Sequence, residues 1–146
     1  MITGIDTSAP VVARHSITID APLRRVWDLH TDVSGWISWQ SDITAASADG
    51  PLVPGSVFHW TTFGMDIAST VYAVEEPCRI LWGGPAHGID GIHQWTFTEV
   101  DGAVHVRTEE SWDGEPVRAA AGELGAALDA SLTAWLERLK KAAETP

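Results

Sequence analysis

The feature that most constrains this chain is a change of hydrophobic period near residue 113. From Ser41 to Trp112, apolar residues alternate in runs of five to ten, each closed by turn residues; beyond Asp113 they recur every three or four positions. The first pattern specifies antiparallel strands and the second an amphipathic helix. The expected strands are 41–48, 55–62, 66–75, 79–84, 91–100 and 103–112. Asp49-Gly50-Pro51, Phe63-Gly64, Glu76-Pro77, a Gly-rich loop from Gly83 to Gly88, and Asp101-Gly102 separate them. In the final segment Leu124, Leu128, Ser131, Leu132, Trp135, Leu136 and Leu139 form one stripe, which must be buried. Asp113 and Glu115 at its start and Arg138, Lys140 and Lys141 at its end complement the helix dipole. That places one long helix against one sheet, since no other segment is large enough to cover either surface.

Ahead of these lies residues 11–19, an alternating strand with Ala13, His15, Ile17 and Ile19 on one face. Asp20, followed by Ala21-Pro22, predicts a capped helix over 22–31 that presents Val26, Trp27 and His30 on one side. Gly35 is expected to break the run before a second short helix carrying Trp36 and Trp39. The 146 residues fit one domain over 11–146, with the first ten residues expected to be flexible.

Charge and cysteine content exclude several classes. A net charge of -11 repels nucleic-acid phosphates and anionic headgroups, so neither nucleic acid nor membrane is an expected partner. Cys78 is the only cysteine, which excludes an internal disulfide and multi-cysteine metal sites. The six histidines lack tight ligand spacing, so no metal is expected. Neither a basic-then-apolar leader pattern nor a run of eighteen apolar residues is present, and the expectation is a cytoplasmic protein, monomeric or homodimeric. Against one tyrosine and three phenylalanines stand eight tryptophans, which either fill a core or line a cavity.

Several strings resemble one superfamily. These are Ser16-Ile17-Thr18-Ile19-Asp20-Ala21-Pro22 with Val26-Trp27, Asp32-Val33-Ser34-Gly35-Trp36 with Trp39, Pro54-Gly55-Ser56 before Phe58 and Trp60, Ser69-Thr70-Val71 with Glu75-Glu76-Pro77, Arg79-Ile80-Leu81-Trp82, Trp95-Thr96-Phe97, and Thr108-Glu109-Glu110-Ser111. In this order, over residues 11–143, the chain resembles the SRPBCC superfamily, which includes START lipid-transfer domains and the polyketide cyclase/dehydrase group. The resemblance implies an α+β helix-grip fold: a curved antiparallel sheet of about seven strands around a long C-terminal helix, with two short helices after the first strand. It also implies a deep apolar cavity between sheet and helix, bordered by the Gly-rich loop, but no particular reaction and no cofactor.

The most specific chemical expectation comes from the last hairpin. A two-residue type I′ turn at Asp101-Gly102 pairs Val100 with Ala103, Phe97 with Val106, Trp95 with Thr108 and His93 with Glu110. Trp95, Phe97 and Val106 make that face the inner one, so His93 and Glu110 become polar groups in an apolar pocket, the carboxylate raising the imidazole pKa against the effect of burial. They either carry protons as general acid and base or only satisfy one another. Phe58, Trp60, Trp82, Trp95 and Thr108 face the same interior, as does Ser69 if Ile67 and Val71 do. Trp39 and Trp112 stand near its ends, and His87 lies in the Gly-rich loop, at the cavity mouth or simply in solvent. His15 is expected to be a core histidine bonded to a backbone carbonyl, and Trp27 and Trp135 plain core. Two functions fit: an enzyme that cyclises or dehydrates a polyketide-like or aromatic intermediate, and a non-catalytic carrier of a hydrophobic small molecule.

Overall fold

A computed structural model describes residues 1–146. Strand β1 (Val11–Ile19) leads into α1 (Leu23–Thr31) and a 3-10 helix (Val33–Ser38). Next come β2 (Ile43–Ser47), β3 (Val57–Thr62), β4 (Met65–Glu75), β5 (Arg79–Ala86), β6 (Ile89–Val100) and β7 (Ala103–Asp113). Helices α2 (Glu115–Ala119) and α3 (Ala121–Glu144) complete the chain. The seven strands form one antiparallel sheet in the order β1-β7-β6-β5-β4-β3-β2, so β1 closes back on the last strand. The sheet is curved and grips α3, the helix-grip architecture.

The last hairpin has the expected register. Val100 pairs with Ala103, Phe97 with Val106, Trp95 with Thr108 and His93 with Glu110. Asp101 and Gly102 both have positive φ, at 52° and 81°, as a type I′ turn requires. The outer face carries a polar ladder in which Arg14 and Gln94 donate to Glu109, and Arg79 donates to Gln94 and Glu75. The first ten residues lie outside the sheet and are tied to it. The Asp6 amide donates to Ser111 Oγ, and Arg79 donates to the Thr3 carbonyl.

Four local expectations are corrected. Gly35 does not break a helix but sits inside the 3-10 turn, its amide bonded to the Asp32 carbonyl at 3.0 Å. Asp20 does not cap α1; the Pro22 carbonyl accepts the first helical amides, while the Asp20 amide is held by Glu144. The Gly-rich loop is not a loop. β5 continues through Gly83 and Gly84 to Ala86 and pairs with β6 down to Ala86–Ile89, leaving only His87 and Gly88 as the turn, with φ of 53° and 80°. The C-terminal helix is not continuous from Glu115. It breaks at Ala120 (φ -140°), because Val117 of α2 is held in a small core with Val11, Ala13, Leu128 and Leu132.

The core is divided unevenly. The C-terminal half of α3, with Trp135, Leu136, Leu139 and Ala143, packs into the large cluster with Trp36, Phe58, Trp82, Trp95 and Phe97. Trp36 is fully buried at its centre, edge-on to Phe58 at 5.5 Å and Trp135 at 5.2 Å, its indole N–H donating to the His30 carbonyl. The N-terminal half of α3 is rich in Gly and Ala and fills far less space. At the junction of β7 and α2, Gly114 has φ 129°, and a Cβ there would lie 2.1 Å from the Gly88 carbonyl oxygen. Gly114→Ala is therefore expected to lower Tm by at least about 5 °C, whereas Gly122→Ala, with open space around it, should leave Tm unchanged or raise it by about 2 °C. Thermal unfolding by circular dichroism checks both.

Candidate functional site

Because α3 thins toward its N-terminus, the concave sheet beneath that half is left partly uncovered. A cavity of about 380 Å³ lies there. Its helical wall is Leu124, Ala127, Leu128, Ser131 and Trp135, and its sheet wall includes Trp60, Ser69, Trp82, Gly83, Gly84, Gly91, His93, Glu110 and Trp112. Phe63, Met65, Ala86, His87 and Ile89 surround its outer end, where Phe63 is well exposed. Most of this surface is apolar, so each polar group in it is conspicuous.

The two polar groups opposite one another on β6 and β7 form a pair. His93 Nδ1 lies 3.2 Å from Glu110 Oε1, the Trp112 indole N–H donates to Glu110 Oε2 at 2.8 Å, and His93 Nε2 lies 2.6 Å from Thr108 Oγ1. Period-two alternation puts Thr108, Glu110 and Trp112 on one face of β7, so a single strand supplies the carboxyl, the indole that holds it and the hydroxyl that holds its imidazole partner. His93 is buried, while the Glu110 side chain keeps 16% of its surface exposed. Glu110 is therefore the member of the pair more open to a ligand.

Burial decides the charge states. It pushes the Glu110 carboxyl up from an ordinary 4.5 to about 7, against the opposing hydrogen bond from Trp112. Burial, helped by repulsion from His30, holds His93 well below its ordinary value. The carboxyl was expected to raise the imidazole; desolvation outweighs that attraction, and the neutral pair is favoured. Behind His93 lies His30, on the buried side of α1. Its ring is 4.3 Å from Trp95, neither nitrogen has a partner, and burial lowers it to about 3.

The remaining candidates separate into two groups. Trp60, Ser69, Trp82, His87 and Trp112 stand on the cavity wall with His93 and Glu110. Phe58, Trp95 and Thr108 are fully buried behind that wall, and Trp39 packs on Trp135 at 5.9 Å, away from it. His87 is exposed and its Nε2 lies 3.0 Å from the Asp66 carbonyl, joining the β5–β6 turn to β4. Two plain-structure expectations are revised: Trp135 contributes to the cavity as well as the core, and His15 pairs with Asp129 of α3 at 2.8 Å rather than with a carbonyl. Phe63, Met65 and Ser131 were missed as lining residues. Ser131, the one polar member of the helical stripe, carried a usable signal. No three His, Cys, Asp or Glu side chains converge as a metal-binding group, and no helix is long and apolar enough to cross a membrane.

The pKa directions set a pH dependence with two opposing parts. Glu110, raised on folding, favours the folded state below about pH 4.5, and this contribution is lost as pH rises through about 7. The lowered His30 and His93 favour it above pH 6.5, and their contribution is lost as pH falls below that. Glu110→Gln replaces the buried acid with a neutral isostere. It should leave stability nearly unchanged at pH 4 and add up to about 3 kcal/mol at pH 8. Urea unfolding at the two pH values measures the difference.

The model of one protein family, polyketide cyclase / dehydrase and lipid transport, matches residues 10–144. No curated protein matches the chain. Among solved structures, a hypothetical protein from Helicobacter pylori superposes with a TM-score of 0.84 at 20% identity, covering 99% of this chain and 98% of its own. A START superfamily protein from Mycobacterium smegmatis gives 0.79 at 10% identity, over 91% and 97%. A di-domain aromatase/cyclase of the steffimycin biosynthetic pathway gives 0.72 at 19% identity, over 90% of this chain and 44% of that one. At these identities the likeness is one of fold.

Proposed function

This chain belongs to the polyketide cyclase / dehydrase and lipid transport family, and from that premise we propose that it binds a small, flat hydrophobic molecule beneath α3 and that Glu110, positioned by His93, moves a proton on it during cyclisation or dehydration. One observation carries the reading: an acid and an imidazole 3.2 Å apart in the wall of a cavity that is otherwise mainly apolar. A carboxyl held at about 7 is present in both protonation states near neutral pH, the condition under which one group both takes and returns a proton.

The step balances without a cofactor. Ionised Glu110 removes a proton from a carbon next to a ligand carbonyl, and the enolate carbon bonds to a second carbonyl carbon. The protonated carboxyl then returns its proton to the alkoxide. Neutral His93 donates from Nδ1 to the ionised carboxylate while Nε2 accepts from the Thr108 hydroxyl, which fixes the ring. Trp112 holds the second carboxyl oxygen. The aromatic walls contribute by holding the reacting carbons close together.

A carrier is the second reading, and it draws on the same geometry: both His93 nitrogens already have partners within the protein. The two separate experimentally with 2-acetonaphthone, a flat aryl methyl ketone, followed by tryptophan quenching and by NMR of methyl-proton exchange with D2O. The enzyme reading expects saturable micromolar binding and accelerated exchange, with Glu110→Gln lowering exchange about 100-fold or more while affinity changes less than about threefold. Binding without accelerated exchange, weakened by the same substitution, would establish the carrier instead. Tryptophan emission that no flat ligand quenches would overturn both.

A further inference from the structure

The cavity has a second polar end that the proton-transfer reading does not use. Ser69, on β4, is 2% exposed and stands in the cavity wall. Its Oγ accepts the Trp60 indole N–H at 3.0 Å. An indole only donates, so this bond leaves the serine proton unspent, and no hydrogen bond within the protein takes it. The result is a hydroxyl whose acceptor role is filled and whose donor role is open.

Between Ser69 and Trp112, alongside the Trp82–His93–Glu110 row, the wall is bare backbone. Thr70 pairs with Gly83, which sets Ser69 level with Gly84; Gly84 pairs with Gly91 and Gly91 with Trp112, so the row from β4 to β7 crosses two glycines. A Cβ at Gly83 would come within 2.1 Å of the Gly91 carbonyl oxygen. One at Gly91 would stand 3.5 Å from the Trp112 ring and 3.9 Å from Glu110 Oε2, occupying the space beside the carboxyl. A strip without side chains accepts the face of a flat ring, and Trp60 and Trp112 stand at its two ends. Three strand spacings separate β4 from β7, about 14 Å along the sheet.

We infer that Ser69 is a positioning residue for the ligand: it donates to a carbonyl oxygen at one end of a flat molecule and so sets which carbon at the other end meets Glu110. The ligand class this selects is a fused two-ring or longer aromatic, or its open precursor, with an oxygen at each end. The inference rests on the cavity being a ligand site, as proposed above.

The test compares 2,6-diacetylnaphthalene, which has a carbonyl at each end, with 2-ethylnaphthalene, which has none, by tryptophan quenching. In the unaltered protein the diketone should bind more tightly. Ser69→Ala should weaken the diketone about fivefold and leave 2-ethylnaphthalene within about twofold. Trp60→Phe, which keeps the hydroxyl, should preserve the diketone's advantage even if both affinities fall. Equal affinity for the two probes in the unaltered protein, parallel changes of both in Ser69→Ala, or loss of the advantage in Trp60→Phe would each overturn the role of Ser69 while leaving the cavity as a binding site. Failure of both probes to bind the unaltered protein would overturn the cavity reading and this inference with it.

Discussion

One helix has to cover the concave face of seven strands, and the rest of the structure follows from how unevenly it does so. α3 has 24 residues, about 36 Å of helix, but its bulk is concentrated at one end. Trp135, Leu136 and Leu139 pack into one cluster with Trp36, Trp95 and Phe97. Toward the N-terminus the cavity-facing positions include the small Ala127 and Ser131, which do not reach the sheet across the same gap. The tryptophans therefore serve both of the roles open to them. Trp36 and Trp95 fill, Trp60 and Trp112 line, and Trp82 and Trp135 do both at the boundary.

That boundary is where the ionisable groups lie. A carboxyl and two imidazoles on an aromatic face cost stability when charged, and their surroundings respond by keeping the imidazoles neutral and raising the carboxyl to about 7. Glu110 escapes part of the cost because it looks onto the cavity and has two partners. His30, with none, is the least compensated polar group in the core. Such a pattern is familiar where function rather than stability sets residue choice, and here the compensated acid is the one that a ligand would meet.

The fold and the acid–imidazole pair were legible in the sequence for the same reason. Asp101-Gly102 fixes a turn type, the turn fixes the register, and strict alternation along β6 and β7 then leaves His93 and Glu110 no other relationship. The Gly-rich stretch from 83 to 88 misled because glycine reads as turn punctuation, whereas Gly83 and Gly91 lie within strands where a side chain would strike a neighbouring carbonyl or fill the cavity. The break at Ala120 had no local signal, since alanines continue a helix as readily as they end one; it is imposed by the burial of Val117. Facing direction told which aromatic residues were internal, but not which of them reached open space. Trp95 and Trp82 share a face, yet only Trp82 reaches the cavity, because depth under α3 is a property of the assembled layers rather than of strand parity.

Glu110 is a cavity-facing acid paired with a buried, neutral imidazole. The most direct measurement is an NMR pH titration of the carboxyl carbon of Glu110 in protein labelled with 13C at glutamate side chains, assigned through Glu110→Gln. The expected result is a midpoint near 7 that moves on addition of a ligand that fills the cavity. A midpoint near 4.5, insensitive to such a ligand, would contradict it, since the carboxyl would then be hydrated and the pair a surface feature.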